Sequence, residues 1–257
     1  MSYTDAERVV EQMLVNEGFI VACLEEGTDA RTADFRAADG KSSYLIEVKS
    51  KVDGEGFHEE LRTGDVVMRD EPRGRRNVMS RIVRDAAEQL GSTPADGSEF
   101  RIIWFVAEGR DVDLQAEQFR STLYGTADLL VAGREAAVRC YYFTYSEFFR
   151  LREVDCALIT KRGGSLLCVN NLGVRARRLR ETKLYKDFES AGALCDPELE
   201  ESRGKAFVAD CPGKRCDEKA IEAYLSSKYD VKILHVLKLR KYSAAVLLDS
   251  ENRKESH

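Results

Sequence analysis

Apolar residues Ala6, Val9, Val10, Met13 and Leu14 recur three and four positions apart, the spacing that lines one helix face, and predict a helix over residues 3–16. Thr4 is its expected N-cap, with Glu7 three residues on completing a capping box, and Gly18 ends it. Residues 19–24 form a short apolar run of strand character. Residues 32–36 and 43–51 alternate with the two-residue period of strands, joined through the turn-forming pair Asp39-Gly40. The polar stretch 52–76 is too long for an ordinary connection. Val78, Ile82, Val83, Ala86 and Leu90 then give the apolar face of a helix over 77–90, which leads into the apolar strand 100–107. The order is helix, three strands, helix, strand.

Further on, 113–124 reads as helix, 128–132 and 138–144 as strands expected to extend the same sheet, and 146–150 as a short helix. Apolar runs 156–160 and 165–170 flank Arg162-Gly163-Gly164, a hairpin signal. Residues 175–203 are polar apart from a helix near 182–190, and 205–248 reads as strand, helix and one or two strands. The expectation is an α/β protein with a main domain over 1–172 and a smaller C-terminal α+β region over 173–257.

Composition narrows the class without naming a partner. The 257 residues are 43% hydrophobic and 33% charged with four prolines, as in an ordinary globular protein. No apolar run approaches the roughly 18 residues of a membrane span, and the first residues lack the pattern of a secretory signal. Seven scattered cysteines suit a reducing cytoplasm. A net charge of −5 argues against a broadly basic nucleic-acid glove, although the distribution of charge matters more than its total.

The chemistry concentrates in TADFRAADGKSSYLIEVK, residues 32–49. Strand alternation puts Glu47 and Lys49 on one face and Ile46 and Val48 on the other, with Asp34 on a neighbouring strand. Two carboxylates 4 Å apart repel by about 4 kcal/mol at an effective dielectric near 20, so a protein that keeps both ionised supplies a cation. Hard oxygen ligands suit Mg²⁺ or Mn²⁺, and a lysine aimed at the same place can orient an attacking water or neutralise developing charge. The alternative is that Glu47 and Lys49 are solvated on an edge strand and Asp34 is a turn acid.

Asp34, twelve intervening residues and Glu47-Val48-Lys49, set in the element order above, resemble the PD-(D/E)xK nuclease superfamily. The resemblance covers about residues 3–107, extending to about 170, and leaves the C-terminal third unexplained. It implies a restriction-endonuclease-like mixed central sheet flanked by helices, with Asp34 and Glu47 as metal ligands and Lys49 as catalytic lysine. It adds a glutamate from the first helix, for which Glu7 fits, and a glutamine on the helix after the third strand, for which Gln89 fits. Ala33 stands where the motif's name has proline. The implied activity is Mg²⁺- or Mn²⁺-dependent hydrolysis of phosphodiester bonds, in DNA ahead of RNA, within defence or repair. The alternative is a catalytically weak or inactive module of the same fold that binds nucleic acid or a partner protein. A homodimer or larger assembly is compatible with either.

Several other residues are candidates. Arg73, Arg75 and Arg76 follow the catalytic strand and could meet a phosphate backbone, as could Arg175, Arg177 and Arg178 near the domain boundary. Solvated loops explain them equally. Cys211 and Cys216 have a loose zinc-knuckle spacing, with Cys195 and His235 as possible further ligands, but ordinary reduced cysteines are the simpler reading. His58 lacks a nucleophile signature around it and reads as a surface histidine.

Overall fold

The computed structural model describes residues 4–24, 32–52, 66–71, 74–109, 111–213, 215–237 and 242–247. It is a mixed α/β protein built on a seven-stranded central sheet. Helix α1 (Asp5–Asn16) starts at Thr4, whose hydroxyl accepts the Glu7 N–H at 3.2 Å while the Glu7 carboxylate accepts the Thr4 N–H at 2.8 Å. The two bonds are the reciprocal capping box that the sequence announces. Gly18, at φ +80°, turns the chain into β1 (Ile20–Cys23). Strands β1, β2 (Phe35–Ala38) and β3 (Ser43–Lys51) then pair antiparallel in succession. The turn between β2 and β3 is closed by Asp39, whose side chain accepts the Lys41 and Ser42 N–H groups at 2.9 and 2.7 Å.

After β3 the sheet turns parallel. Helix α2 (Asn77–Ser92) crosses its face and returns the chain to β5 (Phe100–Ala107), which lies parallel to β3. Strand β8 (Cys156–Lys161) is parallel to β5, the Arg162-Gly163 turn leads into the antiparallel β9 (Gly164–Val169), and β10 (Leu194–Cys195) lies parallel to β9. The order is β1-β2-β3-β5-β8-β9-β10.

Two apolar layers cover this sheet. On one face Tyr44, Ile46 and Val48 of β3 pack with Ala6, Val10 and Leu14 of α1. On the other, Leu45 joins Ile103 and Phe105 of β5 and Met79, Val83, Ala86 and Leu90 of α2. Glu47 and Lys49 share the side of Leu45 by alternation, so they rise from the face that α2 covers. No helix among the described residues is long and apolar enough to cross a membrane.

Three expectations are corrected. Strands β6 (Ala127–Val131) and β7 (Val138–Tyr141) do not extend the central sheet; with β11 (Ala206–Val208) and β12 (Ile233–Leu237) they make a separate sheet, ordered β11-β7-β6-β12. The reason is that β8 takes the free edge of β5, which pushes the excursion through α3 (Val112–Tyr124), β6, β7 and α4 (Glu147–Arg150) off the sheet. The polar stretch 52–76 contains a strand, β4 (Val66–Glu71), paired antiparallel with β13 (Tyr242–Leu247). Finally, Asp34 stands one residue before β2, although its N–H already bonds Ile46 O at 3.1 Å.

The polar region after β9 folds into α5 (Ala176–Leu179), α6 (Lys183–Ser190), β10, α7 (Pro197–Ser202), β11 and α8 (Glu218–Tyr229). It supplies strands to both sheets. The Tyr124 hydroxyl, wholly buried at the end of α3, lies 2.9 Å from Val169 O of β9 and 3.0 Å from Cys195 O of β10. The next residue, Gly125, ends α3 at φ +58°, and the Thr144 N–H bonds its carbonyl at 3.0 Å. A Cβ there would stand 2.7 Å from Thr144 O and 2.8 Å from Tyr145 O.

Gly125→Ala combines a left-handed backbone with that clash. It is expected to cost at least about 2 kcal/mol in urea unfolding. An unchanged midpoint would show that the 142–146 segment yields freely.

Candidate active site

Residues from β3, the approach to β2 and α2 converge over the α2 side of the sheet. Glu47 is almost completely buried, at 1% exposure, opposite Ile103 in the parallel ladder. Lys49, two residues on, reaches back so that its ammonium bonds Glu47 Oε1, and it also donates to Gln89 Oε1 at 2.7 Å. Asp34 enters from just before β2, where its Oδ2 accepts the Val48 N–H at 2.6 Å. The four side chains therefore surround one point near the middle of β3.

Gln89 sits there because α2 presents it on the same buried face as Ala86 and Leu90. The helix is fastened by a residue that the sequence does not single out. Thr93 Oγ1, just past the end of α2, donates to Gln89 O at 2.7 Å and accepts the Ala33 N–H at 2.7 Å. One buried hydroxyl thus joins the glutamine's backbone to the residue preceding Asp34. A lone threonine at a helix end gives no sequence signal for such a contact. Only the fold brings positions 33 and 93 together.

Glu7 holds Thr4 in the capping box, yet it also acts on Asp34 through space. The Asp34 carboxyl is raised, first by burial; the Val48 N–H opposes the shift and the negative charge of Glu7 adds to it. Glu47 is raised further, to about 8, by burial and then by the Asp34 charge, with Lys49 pulling the other way. Its second oxygen, Oε2, is buried without a hydrogen-bond partner among the described residues. A buried carboxylate oxygen in that state is costly unless a cation or proton meets it.

The arginines expected at a nucleic-acid surface are dispersed. Arg73 and His58 lie outside the described residues. Arg75 and Arg76 precede α2, Arg75 leaning on the buried Glu147 at 3.4 Å and Arg76 bonding Thr122 Oγ1 through its backbone N–H. Arg175 is mostly buried and grips Asp155, which is fully buried, at 2.9 Å; that pair ties the segment after β9 to the start of β8. Arg177 is exposed, and Arg178 lies over the Phe100 ring and donates to Ser98 O at 3.2 Å. Cys195 is buried beneath Tyr141, Cys211 packs near Arg215, Cys216 and His235 are exposed, and no group of three or more His, Cys, Asp and Glu among the described residues is arranged to hold a metal ion.

Protein-family models, curated proteins and solved structures yield no match to this chain. The site is therefore read from its own chemistry. A buried carboxyl group, a half-buried one, an ammonium bonded to the first and an amide that steers the ammonium make a compact polar set. One carboxylate oxygen is left over for an electropositive visitor.

Two consequences can be measured. The folded Glu47 carboxyl keeps its proton up to about 8, whereas an unfolded glutamate releases it near 4.5. The folded state then binds more protons in that window, so stability falls as pH rises through it. In EDTA, Glu47→Gln should melt several degrees above the parent at pH about 8.5 and converge with it near pH 4.5, each kcal/mol being worth about 2–4 °C in a chain of this size. A gap that does not change with pH would contradict the assignment. Separately, Thr93→Val leaves the buried Ala33 N–H unpaired and should lower unfolding free energy by about 1–3 kcal/mol, with Thr93→Ser close to the parent.

Proposed function

We propose that the protein is a metal-dependent phosphodiester hydrolase acting on nucleic acid, with DNA ahead of RNA as substrate. The observation that carries this reading is the Lys49 ammonium set between Glu47 and Gln89 beside Asp34, with Glu47 Oε2 left unpaired. The order α1-β1-β2-β3-β4-α2-β5, with β4 outside the central sheet, supports the resemblance to the PD-(D/E)xK superfamily, and so does the place of Gln89.

Asp34 and Glu47 would hold Mg²⁺ or Mn²⁺, and their oxygens suit such a hard cation. The bound ion would supply Lewis acidity and an acidified water. The orphaned Glu47 oxygen and the raised carboxyls fit this role, because a cation would relieve both. Lys49 would neutralise charge developing on the phosphate and orient the attacking water. Gln89 keeps that ammonium aimed, since its carbonyl oxygen is an acceptor that carries no competing charge. Glu7 would act from the rim by strengthening the negative field at Asp34.

A binding module of the same fold is the second reading. It is favoured by the modest ligand set, two carboxylates rather than three in one cluster among the described residues.

Linear, nicked, branched and single-stranded DNA and RNA, incubated with Mg²⁺ or with EDTA, separate the two. Hydrolysis is expected with Mg²⁺ only. Asp34→Ala and Lys49→Ala should each slow it at least about a hundredfold, and Gln89→Ala about tenfold. Cleavage by Asp34→Ala at the parent rate would end the hydrolase reading. Oligonucleotide binding without cleavage or calorimetric uptake of Mg²⁺ would favour the module.

A further inference from the structure

Tyr145 is a large aromatic that the fold leaves 43% exposed. Its hydroxyl has no hydrogen bond among the described residues. The Arg75 guanidinium lies over the ring at 5.6 Å from its centroid and that of Arg150 over it at 5.9 Å, so a stacking base would displace or share the ring with them. Arg150 forms no ion pair among the described residues. Arg75 shares Glu147 with Arg84, which grips that carboxylate through two bonds of 2.9 and 2.8 Å. Two guanidiniums thus share the Glu147 carboxylate, and Arg150 adds a third positive charge beside the ring.

The backbone that carries the ring is also fixed. It sits against Gly125, and Ser146, which caps α4, accepts the Phe149 N–H at 3.1 Å and donates to Leu123 O at 2.5 Å. An exposed aromatic on a fixed backbone between cationic groups suits one chemistry well. Unpaired bases stack on such rings while arginines take the adjoining phosphates, with little dependence on sequence.

We infer that Tyr145, Arg75 and Arg150 form a platform for single-stranded nucleic acid, a second contact for the substrate of the site at Glu47. The inference rests on the nucleic-acid part of the proposed function. Arg75 lies just before the first turn of α2 and Gln89 near its last, so the platform and the candidate site are separated by the length of that helix. From Asn77 to Gln89 the axis rises about 18 Å. Arg81, Arg84, Asp85 and Glu88 are exposed between the two ends, so the helix surface there carries both signs of charge. The platform would take the bases nearest Tyr145 unpaired.

Fluorescence anisotropy with a labelled single-stranded 15-mer and with the matching blunt duplex, in EDTA so that neither is cut, tests this on the full chain. Tyr145→Ala and Tyr145→Leu are expected to weaken single-strand binding about tenfold and Tyr145→Phe hardly at all, with the duplex little affected. Arg150→Ala should lower affinity for both and reduce the salt slope by about one. Melting curves matching the parent show that the fold is intact; if Tyr145→Ala melts early, Tyr145→Leu and Arg150→Ala decide. Equal single-strand affinity in the parent and Tyr145→Leu overturns the platform, as does an equal loss on duplex. Because no cleavage is read, failure of the hydrolase reading leaves this result standing. Cleavage that depends on Asp34, with Tyr145→Leu binding normally, would remove the platform alone.

Discussion

Everything around the candidate site depends on the cost of burying Glu47. Parallel pairing with β5 sets this carboxylate against Ile103 and beneath α2, where water cannot solvate it. A lone carboxylate there would be expelled or neutralised. The chain supplies Lys49 from the same strand, steers it with Gln89 from α2, and leaves Oε2 without a hydrogen-bond partner among the described residues. The helix is thus more than a cover for the sheet. Its last turn must arrive in register with the middle of β3, or the ammonium loses its second anchor.

That demand explains the polar contacts at the helix end. Thr93 fastens the backbone at Gln89 to Ala33, so the approach to β2 and the end of α2 move as one body. Nearby, Arg36 of β2 reaches Glu99 at 2.6 Å and Pro94 O at 2.9 Å, a second tie between the same two regions. The network is local in space but spans some sixty residues of sequence. It can form only after the sheet has paired.

Much of this was legible in the sequence where signals are local. The capping box at Thr4 and Glu7, the turn at Asp39, the hairpin at Arg162-Gly163 and the apolar face of α2 each write their structure within a few residues. The alternation in LIEVK correctly separated Glu47 from Ile46. What stayed hidden was decided by competition between distant segments. Nothing near residues 127–141 says that β8 claims the edge of β5, and nothing near Val66 says that residues 242–247 pair with it. Arg175 reads like its basic neighbours until the fold sets it on Asp155. Thr93 and Tyr145 are ordinary residues until their surroundings are known.

The bond from Ala33 bears on how this chain differs from the motif it resembles. The residue before Asp34 spends its N–H on Thr93, and proline has no N–H to give. Alanine at 33 therefore makes a bond that proline at that position could not make. The two solutions exclude each other: a rigid ring can preset the backbone ahead of the aspartate, or a free amide can moor it to the neighbouring helix. This chain has taken the mooring, and the stiffness of its site is borrowed from α2.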